Sequence, residues 1–120
     1  MKLKIIEVQG IGDYDKELVL LQAEDDCDVG RYLLADSTYT ANGKVSNEVR
    51  HTFWFPDKEI KKGEYVAVWT KPGKSAEVTF RERPLHRFFW GLSKAVWNDD
   101  GDCAVLMHVP SWQFFKVKGK

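Results

Sequence analysis

Apolar residues fall along this chain in short runs rich in Val, Ile, Phe, Tyr and Trp, each closed by Gly, Asp, Asn or Pro. Short runs separated by turn residues predict strands rather than helices. They lie at residues 3–8, 17–22, 31–35, 49–55, 64–70, 76–80, 95–97, 103–109 and 112–117. Side chains alternate across a strand, so Tyr65, Ala67 and Trp69 share one face while Val66, Val68 and Thr70 share the other. Both sets are largely apolar, which predicts a central strand. In 103–109 the set Cys103, Val105, Met107 and Val109 is uniformly apolar and is expected to face the core, with Ala104, Leu106 and His108 opposite. Turn chemistry sits at 26–30, Asn42-Gly43, Lys62-Gly63, Pro72-Gly73 and 98–102, the last being the best hairpin candidate. Residues 91–95 offer about one helical turn, too short to hold by itself. Nine short strands without a repeat or linker suit an all-β sandwich of two packed sheets.

A length of 120 residues with 43% hydrophobic content supports a single domain over 1–120 with one core. The formal charge is zero, so no global field points to nucleic acid or an acidic membrane. The distribution is polarised: residues 1–60 carry 7 basic and 12 acidic side chains, and residues 61–120 carry 11 and 6. That balance favours self-association or a protein partner. The opening Met1-Lys2-Leu3-Lys4 has no apolar run of signal-peptide length behind it, and no stretch is long enough to span a bilayer. Cys27 and Cys103 make no CxxC pair. A soluble, cytoplasmic protein without membrane contact is expected.

The stretch 80–90 is the foremost functional candidate. Its Arg81, Arg83, His86, Arg87, Phe89 and Trp90 combine cations with rings, which makes hot spots for protein partners and also stacks on single-stranded nucleic acid. A structural alternative is a long loop whose rings pack onto the sandwich while its arginines are solvated. The acidic runs Glu24, Asp25, Asp26, Asp28 and Asp99, Asp100, Asp102 have hard-cation composition but lack EF-hand spacing, and a turn explains both. His51, His86 and His108 are scattered, so neither a metal site nor a cofactor is expected. Cys27 lies among aspartates that disfavour a thiolate, and no nucleophile elbow is present. These patterns predict a protein that is not an enzyme and has no catalytic residues.

Three blocks together resemble the lamin tail domain. The first runs from Phe53-Trp54-Phe55-Pro56 through Gly63 to Trp69, and the second from Ala95-Val96-Trp97-Asn98 through Gly101-Asp102 to Leu106. The third and weaker comprises Ile5-Ile6-Glu7-Val8, Glu17-Leu18-Val19-Leu20-Leu21 and 27–34. The resemblance implies an immunoglobulin-like, two-sheet antiparallel sandwich of about seven to nine strands, acting as a binding unit without chemistry of its own. The chain departs from the family at Arg31-Tyr32, where a Trp is usual, and in the long, basic, aromatic stretch 71–91. A function peculiar to this protein is expected in that stretch: contact with a protein partner or a second copy, or alternatively with nucleic acid.

Overall fold

The strand with two apolar faces, Tyr65–Trp69, lies at the centre of the larger sheet. The computed structural model describes residues 1–39, 41–98 and 101–118. Ten strands and no α-helix form among the described residues: β1 Leu3–Gln9, β2 Leu18–Ala23, β3 Cys27–Asp28, β4 Tyr32–Thr38, β5 His51–Trp54, β6 Glu59–Ile60, β7 Tyr65–Trp69, β8 Ala76–Phe80, β9 Arg83–Phe89 and β10 Asp102–His108. A five-stranded sheet has the order β1-β2-β7-β9-β8, a three-stranded sheet the order β10-β4-β5, and β3 pairs with β6. This is the all-β sandwich that the pattern predicts. It departs from a wholly antiparallel arrangement at β7 and β9, which run parallel with Tyr65 beside Leu85 and Trp69 beside Phe89.

The two main sheets close on one core. Leu3, Val19, Leu21, Val66, Val68 and Phe88 of the larger sheet pack with Tyr32 and Leu34 of the smaller one, and Phe53, Ala104 and Leu106 lie against them. An irregularity between Ile5 and Glu7 in the β1–β2 register moves the alternation by one residue, so Val8 points inward like Leu3 and Ile5. No helix among the described residues is long and apolar enough to cross a membrane.

Several expectations are corrected. Residues 83–89, to which the pattern assigns no strand and whose structural alternative is a long loop, are strand β9. The connection Phe80-Arg81-Glu82-Arg83 is a two-residue hairpin in which Phe80 opposes Arg83. Residues 95–97 are not a strand. The fully buried Glu17 carboxylate accepts hydrogen bonds from the Val96 N–H (2.8 Å), the Trp97 N–H (3.4 Å) and the Thr70 hydroxyl. A side chain therefore satisfies backbone donors that a neighbouring strand would otherwise take. Residues 112–117 pair with nothing as a strand, although Trp112 packs edge-on to Trp54. The faces of β10 are also exchanged relative to expectation: Ala104 and Leu106 join the core, while Met107 is exposed. The hairpin expected at 98–102 includes Asp99 and Asp100, which lie outside the described residues. Its upstream arm is absent as a strand, and β10 pairs with β4 instead.

Candidate partner-binding face

Strand β9 sorts the basic, aromatic stretch by parity. Leu85, Arg87 and Phe89 lie on the outer face of the five-stranded sheet beside Tyr65, Ala67 and Trp69, their partners on β7. His86 and Phe88 point the other way, toward the smaller sheet. His86 is buried, with its Nε2 2.9 Å from Glu64 and its Nδ1 3.5 Å from Glu77. Trp90 donates its indole N–H to the Thr52 carbonyl at 3.0 Å and leans on His51, Phe53 and Trp97. His86 and Trp90 thus belong to the interior and the edge of the sandwich rather than to the open face.

The outer face has an apolar floor. Leu18, Leu20, Tyr65 and Ala67 are buried there by long side chains, with Ile6, Trp69, Phe80 and Leu85 packed against them. A cavity of about 240 Å³ opens in it, lined by Gln9, Leu18, Leu20, Ala67, Trp69, Phe80 and Leu85. Cations frame the rings. The Arg87 guanidinium lies 5.6 Å from the Trp69 ring centre and 5.5 Å from that of Phe89, and those two rings stack 6.3 Å apart at 17°. Lys71 stands 5.3 Å over Trp69, and Arg81 stands 4.7 Å over Phe80 and 5.8 Å over Tyr65. Among the described residues, no carboxylate forms an ion pair with Lys71, Arg81 or Arg87. A cation held over a ring in this way keeps its charge available to a partner.

Local geometry holds the frame in place. Arg81 and Glu82 have φ of 50° and 64°, the left-handed pair that a tight β-hairpin needs and that Asn-Gly usually supplies. Gly73 lies flat under Phe89, where a Cβ would come within 2.4 Å of the ring. Gly63, at φ 88°, would place a Cβ 2.4 Å from the exposed Arg83 guanidinium, so the third arginine rests over bare backbone beside the hairpin. Of the residues singled out in the sequence, Arg81, Arg87 and Phe89 therefore come together on this face with Arg83 at its border. Tyr65, Trp69 and Lys71 were missed. Their alternation was visible, but only the parallel register of β7 and β9 places Trp69 beside Phe89.

Other polar clusters have structural partners. Buried Asp36 accepts from the His51 backbone N–H (2.6 Å) and lies 3.0 Å from the His51 ring and 3.4 Å from Arg50. Asp28 accepts from the Gly30 and Lys58 N–H groups, Asp26 from that of Lys62, and Glu24 pairs with Lys4. Those carboxylates close turns and form exposed ion pairs, Glu24 with Lys4 and Asp26 with Lys61. Both cysteines are free. Burial, followed by the negative charge of Glu59 for Cys27 and of Asp102 for Cys103, pushes both thiols above their ordinary pKa. A thiol shifted that way is a poor nucleophile at neutral pH. No protein-family model matches the chain, and a search of curated proteins finds no relative.

Proposed function

We propose that this protein is a non-catalytic binding module whose outer sheet face takes an extended segment of a protein partner. On this reading the segment places one apolar side chain in the 240 Å³ cavity and carboxylates against Arg81 and Arg87. The observation that carries the reading is an apolar cavity on a sheet face that none of the described residues covers with a second layer, framed by cations that have no acidic partner among those residues. Hot spots of this composition bind through an apolar anchor surrounded by polar contacts. The resemblance to lamin tail domains, binding units without chemistry of their own, supports the same conclusion. Single-stranded nucleic acid is the second reading, favoured by the Arg87–Trp69–Phe89 stack. Two features weigh against it. The ring faces are already capped by the chain's own cations, and an apolar cavity suits a side chain better than a base.

The test immobilises the wild-type chain and an Arg81→Glu/Arg87→Glu variant in native lysate and compares what each retains. Protein held by the wild type and lost from the folded variant is the expected result. Nuclease-sensitive capture would move the assignment to nucleic acid, and identical recovery by both chains would remove this face from consideration.

A further inference from the structure

The segment after β10 has the composition of a strand but pairs with none among the described residues. Its start is anchored: the Arg31 guanidinium donates to the Pro110 carbonyl at 3.0 Å and lies 5.4 Å over the Trp112 ring, which packs 4.8 Å from Trp54. Beyond that point Phe114, Phe115 and Val117 are 81%, 93% and 95% exposed. Three large apolar side chains left in water, in a stretch with no regular secondary structure of its own, mark a segment suited to burial against something else.

Among the described residues, β8 forms an open edge of the five-stranded sheet. β8 pairs with β9 on one side only, and four of its five residues are exposed. Edges are normally protected by lysine, proline or a bulge. β8, Ala-Glu-Val-Thr-Phe, has none of these; its one charge is Glu77 on the inner face, which an added strand carrying lysine on that side can meet, and its register with β9 is regular. The opposite edge, β1, carries both a register irregularity and Lys4.

We infer that residues 112–117 of one copy pair as an added strand along β8 of a second copy. The side chains match face by face. Ala76 and Val78 lie on the outer face of β8, and Glu77 and Thr79 on the inner. In the tail, Phe115 and Val117 share one side, and Phe114, Lys116 and Lys118 the other. Seating Phe115 and Val117 beside Val78 and Ala76 brings the lysines over the face of Glu77, whose side chain is 57% exposed. The opposite seating would put the lysines against Val78 and Ala76 and leave Glu77 facing no cation. Main-chain hydrogen bonds supply the affinity of such strand addition, and alternate side chains supply its register. A formal charge of zero leaves no net repulsion between copies.

The experiment is sedimentation velocity across a concentration series on the wild type, Val78→Lys and Phe115→Asp, with thermal melts of each to verify folding. Both substituted positions are solvent-exposed, so the folds are expected to be unchanged. The wild type should associate reversibly, and each variant should do so at least about tenfold more weakly. An equimolar mixture of the variants should recover association, because Phe115→Asp retains an intact edge and Val78→Lys an intact tail. A wild type that stays monomeric to its solubility limit would overturn the inference, as would association that both variants leave unchanged or a mixture that fails to recover it. None of these results bears on Arg81 and Arg87, so the partner-binding reading stands or falls separately.

Discussion

The two faces of the five-stranded sheet are both apolar, yet among the described residues only the inner one has a second layer against it. On that side two buried polar side chains are held by several groups each: Glu17 accepts from three donors, and His86 lies between Glu64 and Glu77. On the outer side the polar groups are cations resting over rings. Apolar character thus gives the fold on one face and a surface for contact on the other, and the difference lies in what covers each. Neighbouring phenylalanines of β9 test this most sharply. Phe88 is 3% exposed and packs edge-on to Phe55, so Phe88→Ala is expected to cost about 3–5 kcal/mol in denaturant unfolding. Phe89→Ala, losing its stack on Trp69, is expected to cost about 1 kcal/mol. Equal costs would mean that the outer face is core as well.

Much of the inner face was legible in the sequence and little of the outer face was, for identifiable reasons. β7 announced itself because apolar residues on both sides of a strand require neighbours all round. β9 did not, since Arg83, Pro84 and Arg87 interrupt its apolar pattern and its turn, Arg81-Glu82, contains neither Gly nor Asn. The inward side of β10 was misassigned because Val105 and Met107 are as apolar as Ala104 and Leu106, so alternation by itself could not choose. Residues 95–97 are apolar and partly buried like a strand, but their backbone donors go to a carboxylate 79 positions away in sequence, which no local pattern signals. The cation–ring frame depends on a parallel register between β7 and β9, and that is a property of topology rather than of any motif.

A smaller effect separates the faces by pH. Burial works to raise the Glu64 carboxyl, but the hydrogen bond from His86, that from the Lys61 N–H and the positive charge of both groups outweigh it and hold the pKa below its ordinary value. A carboxyl whose folded pKa is depressed binds fewer protons folded than unfolded in that window, so stability falls as pH drops through the carboxylate range. Acid titration of the wild type should therefore show an acid-side loss that Glu64→Gln flattens, with the variant about 1 kcal/mol less stable at neutral pH. An unchanged acid limb in the variant would show that the Glu64–His86 contact does not stabilise the inner face.

The hairpin tip offers a change in the opposite direction. Glu82 holds a left-handed conformation that costs a residue with a Cβ about 1–2 kcal/mol, while glycine loses part of that advantage through its freer unfolded state. Glu82→Gly is expected to stabilise by about 0.5–1 kcal/mol in thermal melts and to leave Arg81 over Phe80 and Tyr65. If the variant gains stability and keeps its partner, the strain is incidental to binding. Gained stability with a lost partner would show that Glu82 itself contributes to the contact.

A small expected change in stability falls at the residue on which the binding proposal depends most. Arg87 spans Trp69 and Phe89 without a carboxylate, so Arg87→Ala forfeits only half-buried cation–ring contacts and should shift unfolding by about 1 kcal/mol. Its effect on partner capture should be far greater than its effect on folding, because a side chain that contributes little to stability yet is positioned by a register, a stack and a strained turn is placed for something outside the chain. Arg87→Lys sharpens the distinction: it retains the charge but loses the planar fork that a carboxylate grips with two hydrogen bonds. Capture that survives Lys but not Ala would make the contact one of charge alone, whereas capture lost with both would make it one of guanidinium geometry.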